Sequence, residues 1–352
     1  MKLVTIDTGR GGVPGALLAS GEILDLHRAA APETPETWIP ATLRELIAGG
    51  PGGIAIVRGL VARVEAAEAE TRSALCASGV LRDAATTRLR APIPEPRIVI
   101  GGGLNYRSHL REMAGTPEPA RPTGFLKAIS SITGPDTVIR LPPQAPAMVD
   151  WEGELACVIG RACHDVTPRE ALGCIAGYTV VNDISARDWV DDVFTATQPW
   201  EARLTWELNI MGKQFAGFTA MGPAITTADD IGDPNNLTLE TRLNGDVVQH
   251  VHTSDVIFGF AESVAFFSRW YSFLPGDLVT TGTPAGVGAG RKPPRYMKLG
   301  DVRGGGGERH RDPAQHSHCM IGVERRSAVA TGRIRSNCQF VKPTRFELDA
   351  ER

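Results

Sequence analysis

The residues that most constrain this chain are MVDWEGELACVIG, at positions 148–160. Their apolar and β-branched content predicts a strand, yet an acid occupies every second position at Asp150, Glu152 and Glu154. Alternate side chains of a strand share a face, so we expect the three carboxylates to point the same way. Like charges repel, and burying one without a partner is costly. This face must therefore be solvated or lie against positive charge, and the stretch alone leaves both alternatives open.

The composition is that of a globular protein of about two domains. The 352 residues carry a formal net charge of −3, which argues against the basic surface typical of nucleic-acid binding. No run of about 18 apolar residues predicts a membrane span, and the N-terminal residues lack the apolar core of a signal peptide. The six cysteines form no CxxC pair. We therefore expect a cytoplasmic protein that binds neither nucleic acid nor membranes.

Changes of composition and of secondary-structure pattern along the chain predict three segments. Residues 1–92 combine short strands with Ala/Glu-rich helices and form a small N-terminal domain, which the proline-rich RAPIPEP ends. Residues 95–302 hold many strand patterns and few helical ones, so we expect an α+β catalytic domain with a hairpin at Asn244-Gly245. Residues 303–352 are rich in Gly and Arg without clear periodicity, which predicts a divergent and poorly ordered tail.

A further acid, Asp183, ends a second strand pattern, YTVVNDIS. An acid at the end of a strand is common at active sites, although Asp183 could instead cap the turn that follows it. Together with Glu152 and Glu154 it would make a site of hard oxygen ligands. Such a site suits Mg²⁺ or Mn²⁺, also admits Ca²⁺, and does not suit zinc, which prefers His and Cys.

Two other sets of side chains could carry chemistry. His109 and Glu112 lie three residues apart and can meet on one helix face, where the carboxylate would fix the tautomer of the imidazole. Lys127, Arg187 and Lys213 could attract an anionic substrate or stabilise an oxyanion. Taken singly, the first set could be a surface ion pair and the second could be ordinary surface cations.

The loop TGTPAGVG, residues 281–288, is rich in glycine but lacks the pattern of a phosphate-binding loop. We interpret it as a tight loop that offers backbone N–H groups and the Thr283 hydroxyl to a carboxylate. A plain turn is the alternative.

The motifs of residues 98–302 together resemble the fumarylacetoacetate hydrolase family. They are, in chain order, GLNYxxHxxE, DWEGEL, NDISARD, GKxF, TSDVIF and PGDLVxTGTPAGVG. The resemblance implies a mixed β-sandwich roll, a homodimer and a divalent metal near the mouth of the roll. By position in these motifs, it implies metal ligands at Glu152, Glu154 and Asp183 and a water-activating pair at His109 and Glu112. It also implies substrate contacts at Thr283, Arg187 and Lys213, and we expect Lys213 to be catalytic by stabilising the alkoxide or returning the proton. We add Lys127 as a further substrate-binding cation.

The resemblance further implies cleavage of a carbon–carbon bond in a small anionic 2,4-dioxo acid, as in the catabolism of aromatic compounds. Three alternatives stay open. An isomerase or hydratase, or an oxaloacetate decarboxylase or tautomerase, would use the same site, and a non-catalytic relative or binding module would keep the fold without turnover. Residues 191–209 are longer than in compact members, and they could form a lid, a specificity loop or a surface insertion.

Overall fold

The computed structural model of the protein describes residues 1–30, 38–113, 116–188, 190–298, 301, 319–325 and 345–347. In chain order the strands are β1 (Lys2–Asp7), β2 (Gly12–Leu17), β3 (Glu22–Asp25), β4 (Leu81–Asp83), β5 (Leu89–Arg90), β6 (Val99–Gly103), β7 (Thr123–Leu126), β8 (Ile132–Thr133), β9 (Val138–Arg140), β10 (Val149–Asp150), β11 (Gly153–Ile159), β12 (Ile175–Asp183), β13 (Ser185–Ala186), β14 (Thr219–Met221), β15 (Ile225–Thr227), β16 (Leu237–Leu243), β17 (Asp246–His252), β18 (Leu278–Thr280), β19 (Cys319–Arg325) and β20 (Arg345–Glu347).

The helices are α1 (Leu26–Ala29), α2 (Leu43–Ala48), α3 (Gly50–Glu65), α4 (Ala69–Ala77), α5 (Arg107–Glu112), α6 (Pro168–Leu172), α7 (Val190–Thr195), α8 (Pro199–Met211), α9 (Ala228–Ile231) and α10 (Phe260–Ser268). Within the described residues, none of these helices is both long enough and apolar enough to cross a membrane.

The main feature of the fold is a large mixed sheet. Among the described residues it has thirteen strands, and its principal path runs β4-β3-β2-β1-β15-β12-β11-β18-β6-β7. Most neighbours are antiparallel, but β18 pairs with β6, and β14 with β8, in parallel. Side chains of α2 and α3 pack in one core against this sheet, and those of α10 pack in another. The predicted α+β class, with a large mixed sheet, is confirmed.

β11 lies inside this sheet, between β12 and β18. All seven of its residues are buried. Leu155, Cys157 and Ile159 pack in one core on one face, while Ala156 and Val158 pack in another on the opposite face. A strand that is covered on both sides is apolar at nearly every position, which explains why its sequence lacks a polar alternation after Glu154.

The N-terminal segment joins the same sheet as the rest of the chain. β1 pairs with β15, with Lys2 opposite Thr226, and Leu3 belongs to the same core as Val181 and Leu278. Residues 1–92 and 95–302 thus share a sheet and a core. Their division into two domains stays a prediction.

The hairpin at Asn244-Gly245 is formed by β16 and β17. Both turn residues have positive φ, 55° and 88°, which Asn and Gly adopt most readily in a two-residue hairpin turn. β16 also pairs with β19, and β20 pairs with β9. These two strands belong to the predicted tail, 303–352, whose other positions lie outside the described residues. Its poor order therefore stays a prediction.

Residues 191–209 fall on α7 and α8. The N–H of Ala186 donates to the carbonyl of Gly212 at 3.0 Å, so both ends of this helical excursion are held together. α8 exposes an apolar stripe whose members are four, four and three residues apart and therefore share one face: Trp200, Leu204, Leu208 and Met211. The predicted role of this excursion as a lid, a specificity loop or a surface insertion stays a prediction.

Candidate metal centre

The acids of residues 150–154 do not face solvent. Asp150 and Glu154 are fully buried, and Glu152 is 5% exposed. The solvated-face alternative is therefore wrong. Burial of this much negative charge requires cations close by, because each unpaired carboxylate would otherwise lose its hydration without compensation.

β12 brings Asp183 to the same place. Gly153 pairs with Asn182 across β11 and β12, and the N–H of Asp183 donates to the carbonyl of Glu152 at 2.9 Å. One carboxylate oxygen from each of Glu152, Glu154 and Asp183 lies within 4.8 Å of the other two. The pairing of two adjacent strands thus brings together the three side chains predicted as metal ligands.

Lys213 is the principal cation of this cluster. Its Nζ donates to Glu152 Oε2 at 2.6 Å, to Asp183 Oδ2 at 2.8 Å and to Ser185 Oγ at 2.7 Å. Burial lowers the pKa of Lys213, but Asp183 and Glu152 outweigh it, and the pKa lies above the ordinary lysine value. Lys213 is therefore held as a fixed positive charge.

Lys127 and Arg187 supply the other cations. Lys127 Nζ donates to Asp183, and both side chains are buried. Arg187 Nε donates to Asp150 Oδ2 at 3.1 Å, and its terminal nitrogen forms an ion pair with Glu152. None of the three predicted cations is an ordinary surface residue. Burial opposes ionisation of Glu152, yet Lys213 and Arg187 lower the pKa of that carboxyl to about 2.

Glu154 differs from its neighbours. Neither of its carboxylate oxygens has a hydrogen-bond partner among the described residues, and its side chain is fully buried. Burial raises the pKa of Glu154 well above its ordinary value, and the nearby Asp183 and Glu152 raise it further. The Thr280 hydroxyl and Lys213 lie near enough to offset only part of this rise, and neither forms a hydrogen bond of normal geometry with the carboxylate. A buried acid without a partner, beside two other carboxylates, fits an oxygen-ligated divalent cation such as Mg²⁺ or Mn²⁺.

α5 presents the second predicted pair. His109 Nδ1 lies 3.0 Å from Glu112 Oε2, and Glu112 Oε1 accepts a hydrogen bond from the N–H of Gly286 at 2.9 Å. His109 is buried, with only 8% of its surface exposed. Because the carboxylate favours a proton on Nδ1, the other ring nitrogen is the one that can accept a proton from water. The surface-pair alternative does not hold for this buried imidazole.

Thr283 lies in the loop after β18, but its hydroxyl is already engaged. Thr283 Oγ1 donates to the carbonyl of Gly153 at 3.2 Å and accepts from Gln249 Nε2 at 2.8 Å. The predicted substrate contact of Thr283 is untested, and donation to a substrate requires the hydroxyl to leave Gly153.

The sequence of the predicted catalytic segment identifies the family. A profile of the C-terminal domain of fumarylacetoacetate (FAA) hydrolase matches residues 98–303. The chain belongs to the fumarylacetoacetate hydrolase family. Its members are enzymes, and they include hydrolases, isomerases and tautomerases.

Relatives with three different activities resemble this chain. The human protein named "Oxaloacetate tautomerase FAHD2A, mitochondrial" is 39% identical over 237 residues, which cover 67% of this chain and 71% of the relative. The structure of fumarylacetoacetate hydrolase from Exiguobacterium antarcticum has a TM-score of 0.64, is 26% identical, and covers all of both chains. The structure of 2-hydroxyhepta-2,4-diene-1,7-dioate isomerase from Mycobacterium marinum has a TM-score of 0.58, is 27% identical, and covers 99% of this chain and 98% of that one.

The sequence motifs name the residues of this cluster but not the side chains that hold them in place. Ser185 accepts from Lys213, and Gln249 accepts from the Gly153 N–H at 2.9 Å through its Oε1. Gln249 lies 96 positions from Gly153, so no local pattern reveals the contact. For Ser185, its place in the NDISARD motif is the one sequence feature that could have indicated a role in the site.

Proposed function

We propose that this fumarylacetoacetate hydrolase family member is a divalent-metal-dependent hydrolase that cleaves a carbon–carbon bond of a small 2,4-dioxo acid. The observation that carries the proposal is the unpartnered, buried Glu154 beside Glu152 and Asp183, with the buried His109–Glu112 pair nearby. The cluster provides ligands, and the pair provides a base for water.

The charges of the buried cluster support an anionic substrate. Its four carboxylates belong to Asp150, Glu152, Glu154 and Asp183, and its three cations are Lys127, Arg187 and Lys213. With all seven groups ionised, one negative charge is left over, and the raised pKa of Glu154 shows where that charge is least favourable without a cation. A bound divalent ion would change the net charge of the cluster from −1 to +1, which favours binding of a carboxylate.

Glu152, Glu154 and Asp183 would hold Mg²⁺ or Mn²⁺. When bound, the ion supplies Lewis acidity, which polarises a 2-oxo group and stabilises an enolate leaving group. Ca²⁺ would also fit this oxygen donor set.

The protein's own side chains supply the proton transfers and the fixed charge. Glu112 orients His109, which takes a proton from water as the water oxygen bonds to the distal carbonyl carbon of the substrate. The carbon–carbon bond then breaks as the alkoxide collapses, and the proton held by His109 passes to the carbon of the leaving enolate, which restores the base. Lys213 stabilises the developing oxyanion through its fixed charge, while Arg187 and Lys127 hold the acids in place and offset their charge. Thr283 would orient the substrate carboxylate from the loop after β18.

Tautomerisation of oxaloacetate is the second candidate. It is favoured by the 39% identical human relative that carries this name. The reaction needs the same acids but no hydrolytic water, so His109 would only move a proton between carbon and oxygen. Isomerisation of a dienoate is a third use of the same groups, which the Mycobacterium marinum structure suggests.

A substrate panel separates these activities. Purified protein would be assayed with an acylpyruvate, fumarylpyruvate, oxaloacetate and a 2-hydroxydienoate, each with Mg²⁺, with Mn²⁺ and with chelator. Hydrolysis predicts release of pyruvate from the first two, dependent on metal. Enol–keto conversion of oxaloacetate without cleavage of the dioxo acids would overturn the hydrolase proposal in favour of the tautomerase.

A further inference from the structure

Asp150 has more hydrogen-bond partners than any ligand candidate. Its Oδ1 accepts from the N–H of Trp151 at 2.8 Å and from that of Gly288 at 2.6 Å. Its Oδ2 accepts from the N–H of Ala289 at 3.0 Å and from Arg187 Nε at 3.1 Å. Four donors on two oxygens leave Asp150 little capacity for a metal, in contrast to Glu154.

The partners of Asp150 lead to both halves of the site. On one side, Arg187 joins Asp150 to Glu152 through a single guanidinium. On the other side, the loop that donates to Asp150 from Gly288 also donates to Glu112 from Gly286. Asp150 is therefore the carboxylate at which the metal side and the water-activating side meet.

The loop is built for close approach to Asp150. A Cβ added at Gly288 would lie 2.6 Å from Asp150 Oδ1 and 1.9 Å from the carbonyl oxygen of Arg295. No larger residue fits there without displacement of the backbone. The close approach of Gly288 therefore fixes the position of the 286–289 loop relative to Asp150.

We propose that Asp150 is a positioning residue, which sets the place of Glu152 through Arg187 and the place of Glu112 through the 286–289 loop. The inference rests on the proposed metal-dependent function. Loss of this buried link moves both the metal ligand and the carboxylate that orients His109. Partners of this kind, one step removed from a metal, typically change metal affinity or activity by about 10-fold to 100-fold when they are lost.

Asp277 provides a matched control. It is also fully buried, and it accepts backbone N–H groups from Arg97, Ile98 and Leu274. It lies at the other end of β11, where the N–H of Ile159 donates to its carbonyl at 2.8 Å. The change of Asp277 to Asn likewise removes a buried carboxylate charge that accepts backbone N–H hydrogen bonds, but it does so away from the proposed site.

The test measures Mn²⁺ affinity by calorimetry and turnover on the panel for Asp150→Asn, Asp277→Asn and wild type, below the unfolding temperature of each. We expect Asp150→Asn to weaken Mn²⁺ binding by about 10-fold or more and to lower kcat more than it changes KM. Asp277→Asn should reduce Tm but keep Mn²⁺ affinity within about two-fold. Equal effects of the two variants on Mn²⁺ affinity, or no effect of Asp150→Asn, would overturn the inference.

Arg187→Lys keeps the charge but removes the fork that joins Asp150 to Glu152. If Asp150→Asn does not fold, Arg187→Lys replaces it in the test, and we expect it to weaken Mn²⁺ binding by about 10-fold or more. An Arg187→Lys variant that binds Mn²⁺ as tightly as wild type would overturn the inference. Where both fold, the double variant should lose no more affinity than the worse single variant, whereas independent roles would multiply the two losses. If wild type binds Mn²⁺ but converts no substrate of the panel, the proposed reaction is refuted. The role of Asp150 is still decided in that case, because it rests on the comparison of Mn²⁺ affinities.

Discussion

At the scale of single residues, Glu154 differs from the other buried acids because its oxygens have no partner among the described residues. Its pKa is raised in the fold, so its ionisation destabilises the metal-free protein as pH rises above about 4.3, the value in an unfolded chain. Glutamine at this position does not titrate. We therefore expect metal-free Glu154→Gln to match the Tm of metal-free wild type near pH 4 and to exceed it by about 2 °C or more at pH 8.

With Mn²⁺ added, we expect wild type to have the higher Tm and Glu154→Gln the lower. At 100 times its Kd, a ligand stabilises a protein by about 2.7 kcal/mol, and only wild type retains the complete ligand set. Thermal scans at both pH values, with Mn²⁺ and with chelator, check the result. A variant that loses stability equally at both pH values and is still stabilised by Mn²⁺ would show that Glu154 is no ligand.

His109 has a role separate from metal binding. Its contact with Glu112 places it as a base for water, and loss of a general base typically lowers the rate by about 10²-fold to 10⁴-fold. His109→Ala should therefore lose hydrolysis to this extent and keep its Mn²⁺ affinity. Steady-state kinetics and calorimetry on one preparation check both parts. Hydrolysis at the wild-type rate would refute the role of the His109–Glu112 pair.

At the scale of elements, β11 depends on close contact with the β16–β17 hairpin. A Cβ added at Gly153 would lie 2.0 Å from Thr241 Oγ1, and the N–H of Gly153 donates to Gln249. Gly153→Ala should therefore push the hairpin away from β11, destabilise the protein by about 1–3 kcal/mol, and weaken Mn²⁺ binding. Denaturant unfolding and calorimetry measure the two effects.

Gly59 serves as the control for that substitution. It lies within α3, and a Cβ added there meets no atom within 4 Å. Gly59→Ala should stabilise the protein by up to about 1 kcal/mol and leave Mn²⁺ affinity unchanged, because alanine has the higher helix propensity. Similar stability in the two variants would contradict the close packing of β11 on the hairpin.

The elements also show what sequence could predict. The alternating acids of residues 150–154 and the end of YTVVNDIS at Asp183 are local patterns, and strand pairing alone brings them together. The partners of Asp150 are different, because its contact with Gly288 spans 138 positions. Only the folded loop reveals this contact. For that reason the sequence suggested three equivalent acids on one face, whereas in the structure Asp150 already accepts four hydrogen bonds and Glu154 accepts none from the described residues.

At the scale of the whole molecule, the leading residues extend the sheet that carries the site. A change of composition near RAPIPEP predicted a boundary there, but composition says nothing about the pairing of β1 with β15. The shared core of Leu3, Val181 and Leu278 means that truncation of residues 1–92 would expose apolar surface of the catalytic segment. Loss of soluble protein after this truncation is the expected outcome.

The oligomeric state is a further prediction for the whole molecule. We propose a cytoplasmic homodimer, as the family resemblance implies. Sedimentation velocity at micromolar concentration should give a mass twice the 37.6 kDa of one chain. A single species at the mass of one chain would contradict the proposed dimer.

The central claim is that a divalent ion neutralises the excess negative charge of the buried acids. The most direct measurement is a crystal structure of the protein with Mn²⁺, with anomalous diffraction data collected near the manganese edge. The account predicts one strong anomalous peak among Glu152, Glu154 and Asp183, with Asp150 outside its coordination shell. The same three carboxylates in well-ordered density without an anomalous peak, at a Mn²⁺ concentration that saturates metal-dependent activity, would contradict it.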